Sequence, residues 1–248
     1  MQILCLGDSI TDCGRLWDAP PLGNGYVKIM TELSAKSDIK AEFYNRWIDG
    51  ITLGHLLENV SGHRLLLPSG KPVDLITVLI GINDIGLMLQ TDRTEKQQQD
   101  MMQTFFENYE TLLNVLFTYW DHTSEASPTD SDHTPKAFPT GFRKTIHMHT
   151  QEKRVPQILL MEPFIFPYPD KYRLWIPLTQ IMSQGIQKLA KNYHLPYLLL
   201  QDDFTAAGER NGWDFITTDG IHLTARGHQM LAEKLWQTII PVLPVDSH

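Results

Sequence analysis

A serine hydroxyl becomes a nucleophile at neutral pH only when an imidazole accepts its proton and a third group holds that imidazole in one tautomer. Two short segments of the chain supply these residue types. Leu6-Gly7-Asp8-Ser9-Ile10-Thr11 lies near the start, and Asp219-Gly220-Ile221-His222-Leu223-Thr224 near the end. Asp219 stands three residues before His222 and can reach its ring within one turn. Alone, each segment also reads as an ordinary turn or helix cap, because Gly, Asp and Ser are what turns prefer. Acyl transfer further needs donors aimed at the oxyanion that develops on the substrate. Gly50, in Asn45-Arg46-Trp47-Ile48-Asp49-Gly50-Ile51-Thr52, offers a backbone N–H that no side chain obstructs. Asn83, in Gly81-Ile82-Asn83-Asp84, offers an uncharged amide donor.

These residues act together only if the fold brings them together. Apolar runs at Gln2–Leu6, Ala41–Tyr44, Val73–Ile80, Gln157–Glu162 and Tyr197–Leu200 read as strands. Between them, 24–35, 52–66, 94–120 and 171–193 carry helical spacing. A last helix is expected over 224–239, capped by Thr224, with Leu231, Leu235 and Ile239 on one face. The alternation predicts an α/β fold with a mostly parallel sheet covered on both faces. Open parallel sheets bind ligands at their carboxyl edge. Ser9, Gly50, Asn83 and the Asp219/His222 pair follow the first, second, third and fifth strands, so all are expected to line one cleft. Unrelated turn residues have no reason to assemble a nucleophile, a base, its orienter and two oxyanion donors there.

The 248 residues, 42% hydrophobic, are enough for one large domain, expected to span 1–248. A net charge of −8 argues against nucleic acid as a partner. No apolar stretch approaches the length of a membrane span, and the first strand begins almost at Met1 without a basic or apolar leader. A cytoplasmic protein without stable membrane insertion is therefore expected. Cys5 and Cys13 have no metal-type or redox-type spacing and are read as reduced thiols. Residues 121–154, rich in Ser, Thr, Asp, Pro and His, form an insertion too long for an ordinary connection. It reads as a solvated excursion or, because it carries Phe138, Phe142 and Met148, as a lid or a homo-oligomer contact. His122, His133, His147 and His149 fall in or beside it with no fixed carboxylate or cysteine partner, so no metal site is expected.

Gly7-Asp8-Ser9-Ile10, Gly50, Gly81-x-Asn83-Asp84 and Asp219-x-x-His222 resemble, in order and over nearly the whole chain, the sequence blocks of the SGNH or GDSL-type hydrolases. The resemblance implies a flavodoxin-like three-layer α/β/α fold with a five-stranded sheet, activity on carboxylic esters, and no metal or organic cofactor. It makes Ser9 the nucleophile, His222 the base and Asp219 its partner. The backbone N–H groups of Ser9 and Gly50 and the Asn83 amide become the oxyanion hole. The second block departs from the pattern, with Trp47 and Asp49 where relatives often carry Gly and Ser.

The expected substrate is a small ester, with short acyl groups on a sugar or small alcohol favoured over the longer chains of a lysophospholipid or thioester. A non-catalytic binding module on the same fold is the alternative from another class. Trp17, Trp47, Trp175 and Trp213 are candidates to stack on a sugar ring or to pack in the core. Because the mechanism needs a neutral imidazole, activity should fall in acid.

Overall fold

The computed structural model describes residues 1–14, 21–47, 50–62, 73–90, 92–122 and 155–242, without the side chains of 47, 118–122 and 242. The strands are β1 (Gln2–Gly7), β2 (Glu42–Trp47), β3 (Leu75–Leu79), β4 (Gln157–Met161) and β5 (Tyr197–Leu198). They form one sheet in the order β2-β1-β3-β4-β5 with every pairing parallel. The connection from β1 leads one way to β2, and the later strands build out on the other side. The carboxyl ends of β1 and β3 therefore flank the topological switch point, where doubly wound sheets open a crevice.

The helices, numbered along the chain, are α1 (Ser9–Asp12), α2 (Tyr26–Ala35), α3 (Leu53–Ser61), α4 (Ile82–Met88), α5 (Glu95–His122), α6 (Ile176–Asn192), α7 (Gln201–Asn211) and α8 (Ala225–Ile239). Successive strand side chains point to opposite faces, and here both faces are buried. Ile3, Cys5, Leu75, Leu79, Leu159 and Met161 pack with Tyr26, Met30, Phe204 and Leu231 of α2, α7 and α8. Leu4, Leu6, Ile76, Val78, Ile158 and Leu160 pack with Leu56, Ile85, Tyr109 and Ile186 of α3 to α6. This explains why the strands read as continuous apolar runs rather than alternating ones. At roughly 1.5–3 kcal/mol for each large apolar side chain buried, the two layers hold the strand ends as a rigid platform.

All five expected strands are present, β2 running three residues further than its apolar run. The helix expected from 171 opens with a 3₁₀ segment, Asp170–Trp175, and α6 proper begins at Ile176 with Pro177 in its first turn. Proline fits there because a first-turn N–H has no partner within the helix. Thr224 caps α8 as expected, its hydroxyl accepting from the Gly227 N–H at 3.1 Å. Of the 121–154 insertion, Asp121 and His122 end α5 and the rest lies outside the described residues, as do His133, His147 and His149. Among the described residues no helix is long and apolar enough to cross a membrane.

Candidate active site

The chain turns sharply where β1 ends. Asp8 caps α1, its carboxylate accepting the Ile10 N–H at 3.0 Å, and Cys13 closes the single turn in the left-handed region at φ 44°. From β2, Asn45 Nδ2 donates to the carbonyls of Thr11 (2.7 Å) and Leu22 (2.9 Å). Ser9 thus sits on the first residue of a short helix fixed at both ends.

The second segment is a loop braced across its own mouth. A bridge pairs Thr217 with Leu223, and the buried Thr217 hydroxyl donates to the His222 carbonyl (2.8 Å) while accepting the Gly220 N–H (2.8 Å). Gly220 adopts φ +99°, and a Cβ there would lie 2.3 Å from the Tyr168 carbonyl oxygen and 2.4 Å from the Tyr172 ring. Only glycine lets this loop press against the segment after β4, where the Phe166 N–H donates to the Gly220 carbonyl at 3.1 Å.

The two segments meet. Ser9 Oγ lies 2.9 Å from His222 Nε2, and His222 Nδ1 lies 2.7 Å from Asp219 Oδ2. The other Asp219 oxygen accepts the backbone N–H groups of Ile221 (2.9 Å) and His222 (2.8 Å). An ionised carboxylate can only accept, so the ring proton belongs on Nδ1, and Nε2 is left to accept from the Ser9 hydroxyl. Partial burial works to raise the Asp219 carboxyl. The hydrogen bonds from the His222 ring and backbone and from Ile221, with the attraction of His222, outweigh it and hold the carboxyl below its ordinary value. Asp219 therefore stays ionised, as an orienter must.

Gly50 follows β2 with φ +66° and is exposed, with nothing within 4 Å of where a Cβ would stand. Its requirement is the left-handed backbone rather than space, and its environment is open. Asn83 is the second residue of α4, directly after β3, and its Nδ2 donates one hydrogen to the Ile51 carbonyl at 3.0 Å. The amide carries a second hydrogen that this bond does not use.

A second histidine lies behind the first. His228 of α8 is buried; it accepts the Tyr26 N–H on Nδ1 (3.3 Å) and lies 3.2 Å from Cys13 Sγ through Nε2. Burial, helped by the charge of His222, pushes its pKa down to about 4. A histidine held neutral by the fold contributes stability that is full above its unfolded value of about 6.5 and is lost as pH falls toward 4. Asp84 has the opposite sign: burial, with a contribution from Asp8, pushes it up to about 7, so its contribution is lost as pH rises toward that value. The expected result is that wild type loses Tm more steeply than His228→Gln between pH 6.5 and 4. Parallel Tm curves over that range would contradict it.

Asp8, Asn45, Thr217 and His228 were not singled out from the sequence. Asp8 left a signal, a capping residue at the junction of a strand and a helix; Thr217 braces its own loop, and Asn45 and His228 act through partners far away in the chain. Trp175 packs edge-on against Tyr172 with ring centroids 4.9 Å apart, and Trp213 lies 6.2 Å from Phe166. Both are partly buried core residues. Trp17 and the Trp47 side chain lie outside the described residues. Among the described residues no three His, Cys, Asp or Glu side chains are grouped to hold a metal.

The model of the GDSL-like lipase/acylhydrolase family matches residues 5–230. The chain belongs to this family. No curated protein matches it. Solved structures that share the fold include a GDSL-like lipase candidate from Parabacteroides merdae, 24% identical, with 98% of this chain and 96% of that one covered at a TM-score of 0.65. An acetylxylan esterase, Axe2 from Geobacillus stearothermophilus, is 19% identical, with 100% and 97% covered at a TM-score of 0.67. A member of the lipolytic G-D-S-L family from Veillonella parvula is 15% identical, with 98% and 99% covered at a TM-score of 0.62.

Proposed function

We propose that the protein is a serine esterase that cleaves small carboxylic esters, with short acyl groups on a sugar or other small alcohol as its substrates. The observation that carries this reading is the continuous hydrogen-bonded line from Ser9 through His222 to Asp219, at 2.9 and 2.7 Å. Membership of an acylhydrolase family supports the reaction class. The shared fold of an acetylxylan esterase supports the short acyl group by analogy.

In the first half-reaction His222 Nε2 takes the Ser9 proton as Oγ bonds to the ester carbonyl carbon. The resulting oxyanion is held by the Ser9 and Gly50 N–H groups and the Asn83 amide. His222 then returns its proton to the alkoxide, the carbon–oxygen bond breaks and the alcohol leaves an acyl-serine. In the second, water gives a proton to His222 and attacks the acyl carbon, and Ser9 recovers its proton as the acid departs. The alcohol leaves before water reacts, so the kinetics are ping-pong. Neither half calls for a metal or organic cofactor. Asn83→Ala removes one oxyanion donor, and kcat is expected to fall about 100- to 1,000-fold with little change in KM. A loss confined to KM would assign Asn83 to substrate binding instead.

A second reading, longer acyl chains, is favoured by one feature. An apolar groove of about 800 Å³ runs between α5 and α6, floored by Leu89, Met102, Phe106, Leu174, Leu178 and Ile181. Leu89 caps the C-terminus of the helix whose second residue is Asn83, about 9 Å away at 1.5 Å per residue. Hydrolysis of p-nitrophenyl esters from acetate to palmitate separates the two. The proposal expects kcat/KM to be highest for acetate and to fall with chain length, and Ser9→Ala to abolish all of it. An optimum at long chains would favour the groove reading, and no turnover by folded protein would leave a binding module.

A further inference from the structure

Two of the three oxyanion donors assigned above, Gly50 and Asn83, sit on separate elements, the turn after β2 and the start of α4, so something must fix one against the other. Consecutive residues of α4 clasp that turn. Asn83 Nδ2 donates to the Ile51 carbonyl at 3.0 Å. One residue further on, the Asp84 carboxyl accepts the Leu53 N–H, at 3.0 Å through Oδ2 and 3.3 Å through Oδ1. Leu53 is the first residue of α3, and its N–H belongs to the set that no helix satisfies internally. The residue placed to cap it locally, Thr52, makes no side-chain cap and turns its hydroxyl to His55 Nδ1 at 3.1 Å. Asp84 therefore supplies from α4 the cap that α3 lacks.

We propose that Asp84 is a positioning residue of the oxyanion hole: by holding the Leu53 N–H it fixes the Gly50–Thr52 turn against Asn83, so that both donors converge on one oxygen. The inference rests on the serine-esterase reading and extends it. With only the Asn83 bond, the turn has a single tether and can swing about it; with two, at Ile51 and Leu53 on the turn and on adjacent residues of α4, it is fixed in register. The turn needs this restraint, since Gly50 is exposed and has nothing near the position of a Cβ. Displacement of a reacting group by about 1 Å costs on the order of 100-fold in rate. The carboxyl occupies a site hostile to its charge, since burial, with Asp8 contributing, raises its pKa to about 7. Both the neutral and the ionised acid keep an oxygen able to accept the Leu53 N–H, so an amide can stand in for it.

The test compares p-nitrophenyl acetate kinetics of wild type, Ser9→Ala, Asp84→Ala, Asp84→Asn and Asp84→Glu, with circular dichroism to establish folding. Asp84→Ala is expected to lower kcat about 10- to 100-fold while KM changes less than about threefold. Asp84→Asn, which retains an acceptor at the same place, is expected to recover most of kcat. A merely structural role would move Tm without this pattern in kcat and without rescue by asparagine. If the alanine variant does not fold, Asp84→Glu decides: its acceptor is displaced by one methylene, and kcat should fall about tenfold while Asp84→Asn stays near wild type. Wild-type kcat in a folded Asp84→Ala or Asp84→Glu, or equal loss in Ala and Asn, overturns the inference while leaving the esterase reading intact. Absence of turnover in wild type itself overturns the esterase reading and this inference with it.

Discussion

Replacing His222 by alanine is expected to lower kcat about 10⁴- to 10⁶-fold, with the fold intact. Among the described residues Ser9 has one proton acceptor placed for it, His222 Nε2 at 2.9 Å. Asp219 cannot substitute, because it is committed to His222 Nδ1 and to two backbone N–H groups. The loop itself does not depend on the imidazole. Its braces are the Thr217–Leu223 bridge and bonds from Thr217 and Thr218 to the His222 carbonyl, all of which alanine keeps. The measurement is kcat on p-nitrophenyl acetate at neutral pH, beside circular dichroism of the variant. Activity within tenfold of wild type would remove His222 from the mechanism.

Asp219→Asn is expected to cost about 10⁴-fold in kcat although it changes one atom. The backbone N–H groups of Ile221 and His222 both point at Oδ1, so an asparagine must keep its carbonyl oxygen there. Its NH₂ then faces His222 Nδ1, which has to become an acceptor, and the ring proton moves to Nε2. In that tautomer Nε2 donates toward Ser9 and can no longer take its proton. Because the Asp219 and His222 side chains are 49% and 44% exposed, water can partly restore the productive tautomer, which places the loss below that of removing the base. KM should change little. Full activity in the asparagine variant would contradict the orienting role.

Much of this arrangement could be read from the sequence because it lies where strands end. The apolar runs at Gln2–Leu6 and Val73–Ile80 are unambiguous, since strands buried on both faces carry no polar alternation. Gly7-Asp8-Ser9 and Gly81-Ile82-Asn83 directly after them then fall at one sheet edge by topology alone. The short elements were less legible. The helix Ile82–Met88 has two turns and a glycine within it, too few positions for a 3.6-residue period to emerge. The helix Gln201–Asn211 buries only Phe204, Ala207 and Gly208, so its sequence looks polar throughout. Its start is fixed from elsewhere, by the buried Glu162, whose Oε2 accepts the N–H groups of Leu200 (2.6 Å) and Gln201 (2.8 Å).

The supports of the site were hidden for the same reason. Asn45 reaches Thr11 and Leu22, Asp84 reaches Leu53, and His228 reaches Cys13 and Tyr26. Such contacts are set by how the layers stack, and one sequence carries no trace of them. The roles of Gly50 differ instructively. A glycine was expected for close approach, and the structure shows a left-handed backbone in open surroundings instead. In Trp175 and Trp213 the choice between ring stacking and packing is made by the neighbours, Gly86 and Tyr172 for one and Gly208 and Phe166 for the other.

The most direct measurement is intact-protein and peptide mass spectrometry after reaction with a fluorophosphonate, for wild type, Ser9→Ala and His222→Ala. One stoichiometric phosphonyl adduct located on Ser9 is expected in wild type, none in Ser9→Ala, and labelling of His222→Ala slowed by orders of magnitude. Wild type left unmodified while correctly folded, or an adduct on another residue that survives in Ser9→Ala, would contradict it.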